Sequence, residues 1–176
     1  RYHNTSLNLT HLEVEIDGEK YFFNSAGSLA YGIVVTHASN EFVHLRCYDC
    51  GTDGKAKPYN GVYKDNLYVD AVRQLAYQLV KLGENYYFVT DGHKVAKNCT
   101  VYLGGSAEKA GLTPGYYEFG EDGKMVIRNG VYGDYFYLDN VRQEAYQLIR
   151  FEGDYYFITD GHKVAKNCTV YLGGSA

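Results

Sequence analysis

The sequence predicts an all-β protein, built as a repeat array of short β-hairpins. Three observations predict it. The 176 residues hold 20 Tyr and 20 Gly, with no Trp, one Met and two Pro; Tyr suits half-buried strands and Gly marks turns. The chain also repeats itself at a spacing of 69 residues: of the 48 pairs that align 60–107 with 129–176, 35 are identical. Finally, Asp-Gly pairs recur between apolar-aromatic runs, and Asp-Gly in that setting is a strong tight-turn signal.

The repeat organises the chain. The eighteen residues "TDGHKVAKNCTVYLGGSA" stand at 90–107 and again, unchanged, at 159–176. Upstream the match weakens but continues, with "RCYDCGTDGKAKPYNGVY" (46–63) lying over "GYYEFGEDGKMVIRNGVY" (115–132). We therefore divide the chain into a partial unit at 1–38, a three-hairpin unit at 39–107 and a second three-hairpin unit at 108–176. Arg1-Tyr2-His3 opens the chain without Met or leader, which points to a piece of something longer.

Turn signals place the hairpins. They fall at Ala26-Gly27, Asp53-Gly54, Asp91-Gly92, Asp122-Gly123 and Asp160-Gly161. Less obvious turns are read at Asp70-Ala71 and Asp139-Asn140. In the second unit the hairpins are expected at about 115–132, 134–151 and 153–172. "VRQEAYQLIRF" (141–151) also shows helical spacing of Val141, Ala145, Leu148 and Ile149, but strand is preferred because its flanks keep the hairpin rhythm. "LGGSAEKAGLTPG" (103–115), rich in small residues and Gly, is expected to be a linker.

Charge and motifs exclude several classes. Net charge is -4 and no basic run is present, so a nucleic-acid footprint is not indicated. No apolar stretch reaches membrane-span length. Neither a nucleophile elbow, a phosphate loop nor H-E-x-x-H appears. The reading is accordingly non-catalytic, with no cofactor and no metal.

"DGEKYFFNSAGSLAYG" (17–32) carries a family resemblance. An aromatic cluster, a few polar residues, Gly, a small apolar residue, then Gly again resembles the cell-wall-binding repeat of Gram-positive surface proteins. Choline-binding modules, glucan-binding repeats and clostridial toxin repeats belong to that family. "GDYYFITDGHKVAKN" (153–167) and "YYEFGEDGKMVIRNG" (116–130) follow the pattern more loosely. The resemblance implies hairpins stacked as a β-solenoid, on a secreted or cell-surface, wall-associated protein. One hairpin is marginal alone, and stacking buries its aromatic face.

The departures from the family pattern are informative. Choline-binding members build a cage from two Trp and another aromatic, which suits a quaternary ammonium. Here Lys20, Asn85 or Asp154 precedes the aromatic cluster, and Ile33, Cys99 and Cys168 stand at or beside the expected last aromatic. The walls of the cage are missing. Tyrosine surfaces still suit sugars, whose C–H faces stack on rings while hydroxyls meet the phenol.

The expected partner is a polysaccharide or cell-wall glycan, with a host glycan or surface protein as further possibilities. The expected ligand contacts are Tyr63, Tyr86 and Tyr102, with their mates Tyr132, Tyr155 and Tyr171. Core packing is the competing role for each. A structural stalk or protein-binding adhesin without a sugar site is the alternative function. Cys47 and Cys50 form a C-x-x-C that we read as packing, with a local disulfide as second choice. Cys99 and Cys168 are read as buried apolar residues, and His93 and His162 as solvated turn residues. Asn4, Asn8, Asn98 and Asn167 each begin an N-x-S/T sequon, read as chance in a bacterial chain.

Overall fold

The computed structural model describes residues 11–37 and 45–173. Every strand pairing among them is antiparallel. The chain divides into two compact units, Arg1–Ala96 and Lys97–Ala176.

In the first unit, β1 (His11–Ile16) and β2 (Glu19–Asn24) form a hairpin through Asp17 and Gly18. A sheet follows in the order β3 (Ile33–His37), β4 (Leu45–Asp49), β8 (Val72–Arg73), β7 (Asn66–Val69), β6 (Gly61–Tyr63), with β5 (Lys57–Pro58) paired to β4. β9 (Gln78–Leu82) and β10 (Asn85–Val89) close the unit as a hairpin. Two cores tie these pieces together. Phe22, Val34 and Cys50 pack with Tyr48 and Ala56. Leu67, Tyr87, Val89 and Val95 pack with Val62 and Val80, joining β6–β7 to β9–β10.

The second unit builds the corresponding parts. Its sheet runs β11 (Cys99–Leu103), β12 (Gly115–Phe119), β15 (Val141–Arg142), β14 (Tyr135–Leu138), β13 (Gly130–Tyr132). β16 (Gln147–Phe151) and β17 (Asp154–Ile158) form the hairpin beside it. Phe136, Ile149 and Ile158 are its core cluster, backed by Phe151, Tyr156 and Val164.

The segment 141–151 is extended, as β15 and β16, so strand is the correct reading of "VRQEAYQLIRF". Its helical spacing fails at Tyr146, which sits at φ 64°. The linker reading of 103–115 needs correction. α1 (Gly105–Lys109) joins β11 to β12, and those two strands are hydrogen-bonded neighbours. Ala107 is fully buried, which anchors the short helix to its unit.

The Asp-Gly turns also differ from expectation. Each reverses the chain, but only one bridge forms beyond the turns at Asp91, Asp122 and Asp160: Val89 to Val95, Phe119 to Met125 and Ile158 to Val164. The returning arm then bonds elsewhere. Val95 N–H donates to the Asp65 carbonyl, and Val164 N–H to the Asp134 carbonyl, both in the turn of a preceding hairpin. The longest hairpin, β1–β2, does turn at an Asp-Gly pair, Asp17-Gly18, whereas the other two-arm hairpins turn at Lys64-Asp65, Gly83-Glu84, Gly133-Asp134 and Glu152-Gly153. Lys64 and Asp65 both hold positive φ, at 46° and 63°, without a glycine between them; nothing in their composition marks that turn.

His93 and His162 are half-buried rather than solvated. Each Nδ1 accepts a backbone N–H, from Ala76 at 3.0 Å and from Ala145 at 3.2 Å. The imidazole thus closes the end of the adjacent hairpin, seventeen residues away. His162→Ala leaves the Ala145 N–H without an acceptor and is expected to cost about 1–3 kcal/mol. His93→Ala should cost a similar amount in the first unit, and urea unfolding of both variants checks it.

The four cysteines are free thiols. Cys47 and Cys50 are completely buried, as packing requires, and burial pushes the Cys47 thiol up to about 11. Cys99 and Cys168 are exposed, contrary to expectation. Cys99 sits at the outer edge of its sheet, opposite Phe119, where only one side is covered. A thiol assay at pH 8 should find two fast-reacting groups in the folded chain and four in guanidinium, because exposure and thiolate content govern the rate.

Candidate functional site

The sheet of the second unit has two unlike faces. Residues directly opposite on neighbouring strands share a face. The register Tyr102–Tyr116–Arg142–Tyr137 therefore runs across four strands on one side. Tyr132 opposite Tyr135 adds to the same side, as does Glu118, two residues from Tyr116. On the reverse side Leu103, Tyr117, Phe119, Val141 and Phe136 are buried. One face is core, and the other presents five tyrosines, one carboxylate and a guanidinium. Arg128 reaches the tyrosine face from the segment before β13.

Contacts on that face are closely interlocked. Tyr102 and Tyr116 meet edge to face at 5.1 Å, and Tyr116 lies 5.9 Å from the His162 ring. The Arg142 guanidinium stands 4.7 Å over Tyr116 and 5.0 Å over Tyr135. Arg128 stands 5.1 Å over Tyr132 and 5.3 Å over Tyr137, and pairs with Glu118 at 2.9 Å. The Tyr137 hydroxyl donates to Glu118. Burial and that carboxylate push the Tyr137 phenol up to about 12, so it stays a donor at neutral pH.

Exposure grades across the face. Tyr137 is buried at 3%, while Tyr132 and Tyr102 are 43% and 54% exposed at the two sides. Tyr116, Tyr135, Glu118 and Arg142 lie between these limits. The sheet is a shallow aromatic platform, held from beneath by core and pinned from above by two arginines.

The six expected contact tyrosines are not gathered in one place. Tyr102 and Tyr132 belong to the platform. Tyr155 and Tyr171 are exposed in the same unit at 65% and 92%, outside that sheet. Tyr63 and Tyr86 belong to the first unit and are half-buried, each beside a lysine ammonium. Tyr132 and Tyr135 lie on two strands folded together at Gly133, and Tyr137 follows on the second of them.

Sequence reasoning missed Tyr116, Arg128, Arg142 and Glu118. A signal was present in the differences between the repeats. Tyr116, Glu118, Arg128 and Tyr135 align with Cys47, Asp49, Tyr59 and Asn66. The first unit's version of the face is consequently less aromatic and partly filled, with Asp49 exposed and Tyr59, Tyr63 and Arg73 half-buried. Cys47 is fully buried, Asn66 is 8% exposed, and Tyr59 packs edge-on against Tyr63 and Tyr68.

No protein-family model and no curated protein sequence matches the chain. Solved structures do. The modular autolysin LytC from Streptococcus pneumoniae, solved with a synthetic peptidoglycan ligand, aligns at a TM-score of 0.54 and 13% identity over 86% of this chain. Choline binding protein F from the same organism, solved in the presence of a peptidoglycan analogue, aligns at 0.50 and 18% identity over 90% of this chain. This chain has the fold of choline binding protein F. It spans 53% of that protein and 32% of LytC. Among the described residues no helix is long and apolar enough to cross a membrane.

Proposed function

We propose that this chain is a non-catalytic carbohydrate- or cell-wall-binding repeat module of a secreted or surface bacterial protein. The tyrosine platform on the second unit's sheet carries the reading. Flat rings beside phenol, carboxylate and guanidinium groups match the two sides of a sugar, apolar C–H faces and polar hydroxyls. The peptidoglycan ligands of the two solved relatives favour a wall polymer as the partner.

Tyr102, Tyr116, Tyr132 and Tyr135 are the principal contacts in this reading. Tyr155 and Tyr171 serve as outlying contacts of the same unit, and Tyr63 and Tyr86 as those of the first. Affinity per site is low and gains from repetition along a polymer. Choline does not suit the platform. A quaternary ammonium would meet like charge there, because the Arg142 and Arg128 guanidinium groups already stand against four of these rings.

The test is a glycan array together with a polysaccharide pull-down, run on the wild-type chain, Tyr132→Ala and Tyr171→Ala. Binding that falls with Tyr132→Ala supports the platform. Absence of binding to every glucan, wall polymer and host glycan would contradict the reading and leave a stalk or protein-binding role.

A further inference from the structure

Arg142 is held differently from the other charged groups of the platform. Arg128 has its carboxylate, Glu118, at 2.9 Å. Arg142 stacks on Tyr116 and Tyr135, and its Nε is buried without a hydrogen-bond partner. The described residues give its guanidinium no carboxylate. A half-buried guanidinium held against two rings pairs best with a planar oxyanion, which meets its N–H donors in a forked geometry. Two guanidinium groups against one carboxylate make this face locally positive, on a chain whose net charge is -4.

We infer that the platform's ligand is an anionic glycan, and that Arg142 receives its carboxylate or phosphate group in the plane between Tyr116 and Tyr135. The inference rests on the glycan-binding reading above and names the ligand's chemical class. Neutral sugar rings stack on the exposed tyrosines, while the acidic substituent pairs with the platform guanidinium to which the described residues give no carboxylate. Glu118 guards the neighbouring Arg128, so this face holds one anion site. In the first unit Arg73 aligns with Arg142, but Cys47 and Asn66 replace Tyr116 and Tyr135, so the two rings that hold the guanidinium have no counterpart there.

Titration calorimetry of the full chain tests this with three polymers. Polygalacturonate supplies carboxylates, its methyl ester supplies the same sugar without charge, and poly(glycerol phosphate) supplies phosphate. Arg142→Gln, Arg142→Lys and Lys109→Gln are compared, the last being an exposed cation on α1 that controls for net charge. The wild type should prefer one of the anionic polymers over the ester. Arg142→Gln should weaken that polymer about tenfold while Lys109→Gln does not. Whichever anion binds more tightly identifies carboxylate or phosphate as the source. Should Arg142→Gln lose the near-UV tyrosine signal of the folded chain, Arg142→Lys carries the comparison, since it keeps the charge but loses the planar fork. Equal binding of ester and acid, or equal effects of Arg142→Gln and Lys109→Gln, overturns the anion assignment while leaving glycan binding intact. Failure of all three polymers to bind the wild type overturns the anion assignment; the glycan array then decides the broader reading separately.

Discussion

Phe136→Ala should destabilise the second unit by about 3–5 kcal/mol, the range for deleting a buried aromatic ring. Phe136 is fully buried and packs its ring at 5.4 Å from Phe151 and 4.9 Å from Tyr156. It also joins Ile149 and Ile158, so it fastens β13–β14 to β16–β17. Short hairpins have little stability alone, and losing the fastener removes what orders both. Folded domains hold only about 5–15 kcal/mol in total, so the second unit should unfold at markedly lower urea. Leu67, the aligned residue of the first unit, is its equivalent, and Leu67→Ala should affect that unit instead. Urea unfolding followed by tyrosine fluorescence reads both.

Gly115→Arg should be destabilising even though it copies the first unit's own residue, Arg46. A Cβ placed on Gly115 meets Cγ1 of Val141 at 2.1 Å. Val141 is buried and β-branched, so it has little room to rotate away. Overpacking of this kind costs about 1–3 kcal/mol, and a long side chain pushes the cost to the upper end. The consequence reaches the platform. Gly115 and Val141 are the chain neighbours of Tyr116 and Arg142, which face each other across β12 and β15. Prying these strands apart separates the stacked pair, and glycan binding should fall together with stability. Gly115→Ala is the milder variant and should show the same pattern at smaller size.

Much of this architecture was readable from the residues, and its gaps have physical causes. Tyrosine, glycine and the 69-residue repeat led to hairpins, since both encode short strands and frequent reversals. The Asp-Gly pairs marked true reversals, but a reversal does not say how many bonds its second arm makes. Val95 and Val164 leave their own partners for the turn of another hairpin, a tertiary choice with no local signature. Lys64-Asp65 turns without glycine, and its carbonyls accept hydrogen bonds from Asn66 Nδ2, Lys94 Nζ and Val95 N–H. The small-residue run at 103–115 read as a linker because Gly and Ser weaken any local preference, yet Ala107 is buried and makes it part of the sheet.

The candidate site was legible only in part. Tyr102 and Tyr132 were found by their place near hairpin ends. Tyr116, Arg142 and Arg128 were not, because a platform is made by register across strands far apart in sequence. Its trace in the sequence lay in the repeat's mismatches. Where one copy has Cys47, Asn66 and Tyr59, the other has Tyr116, Tyr135 and Arg128, and only the second set supplies the rings and guanidinium of the platform. His93 and His162 show the opposite pattern. They are identical in both copies because each performs the same backbone-capping role.

Co-sedimentation with purified Gram-positive cell walls tests the central claim most directly. Wild-type chain and the double variant Tyr116→Ala/Tyr132→Ala are spun with walls, and the variant's fold is checked by its unfolding curve. The account predicts that the wild type pellets with the walls and the folded double variant stays in solution. Equal pelleting of the two, or a wild type that remains wholly soluble, would contradict it.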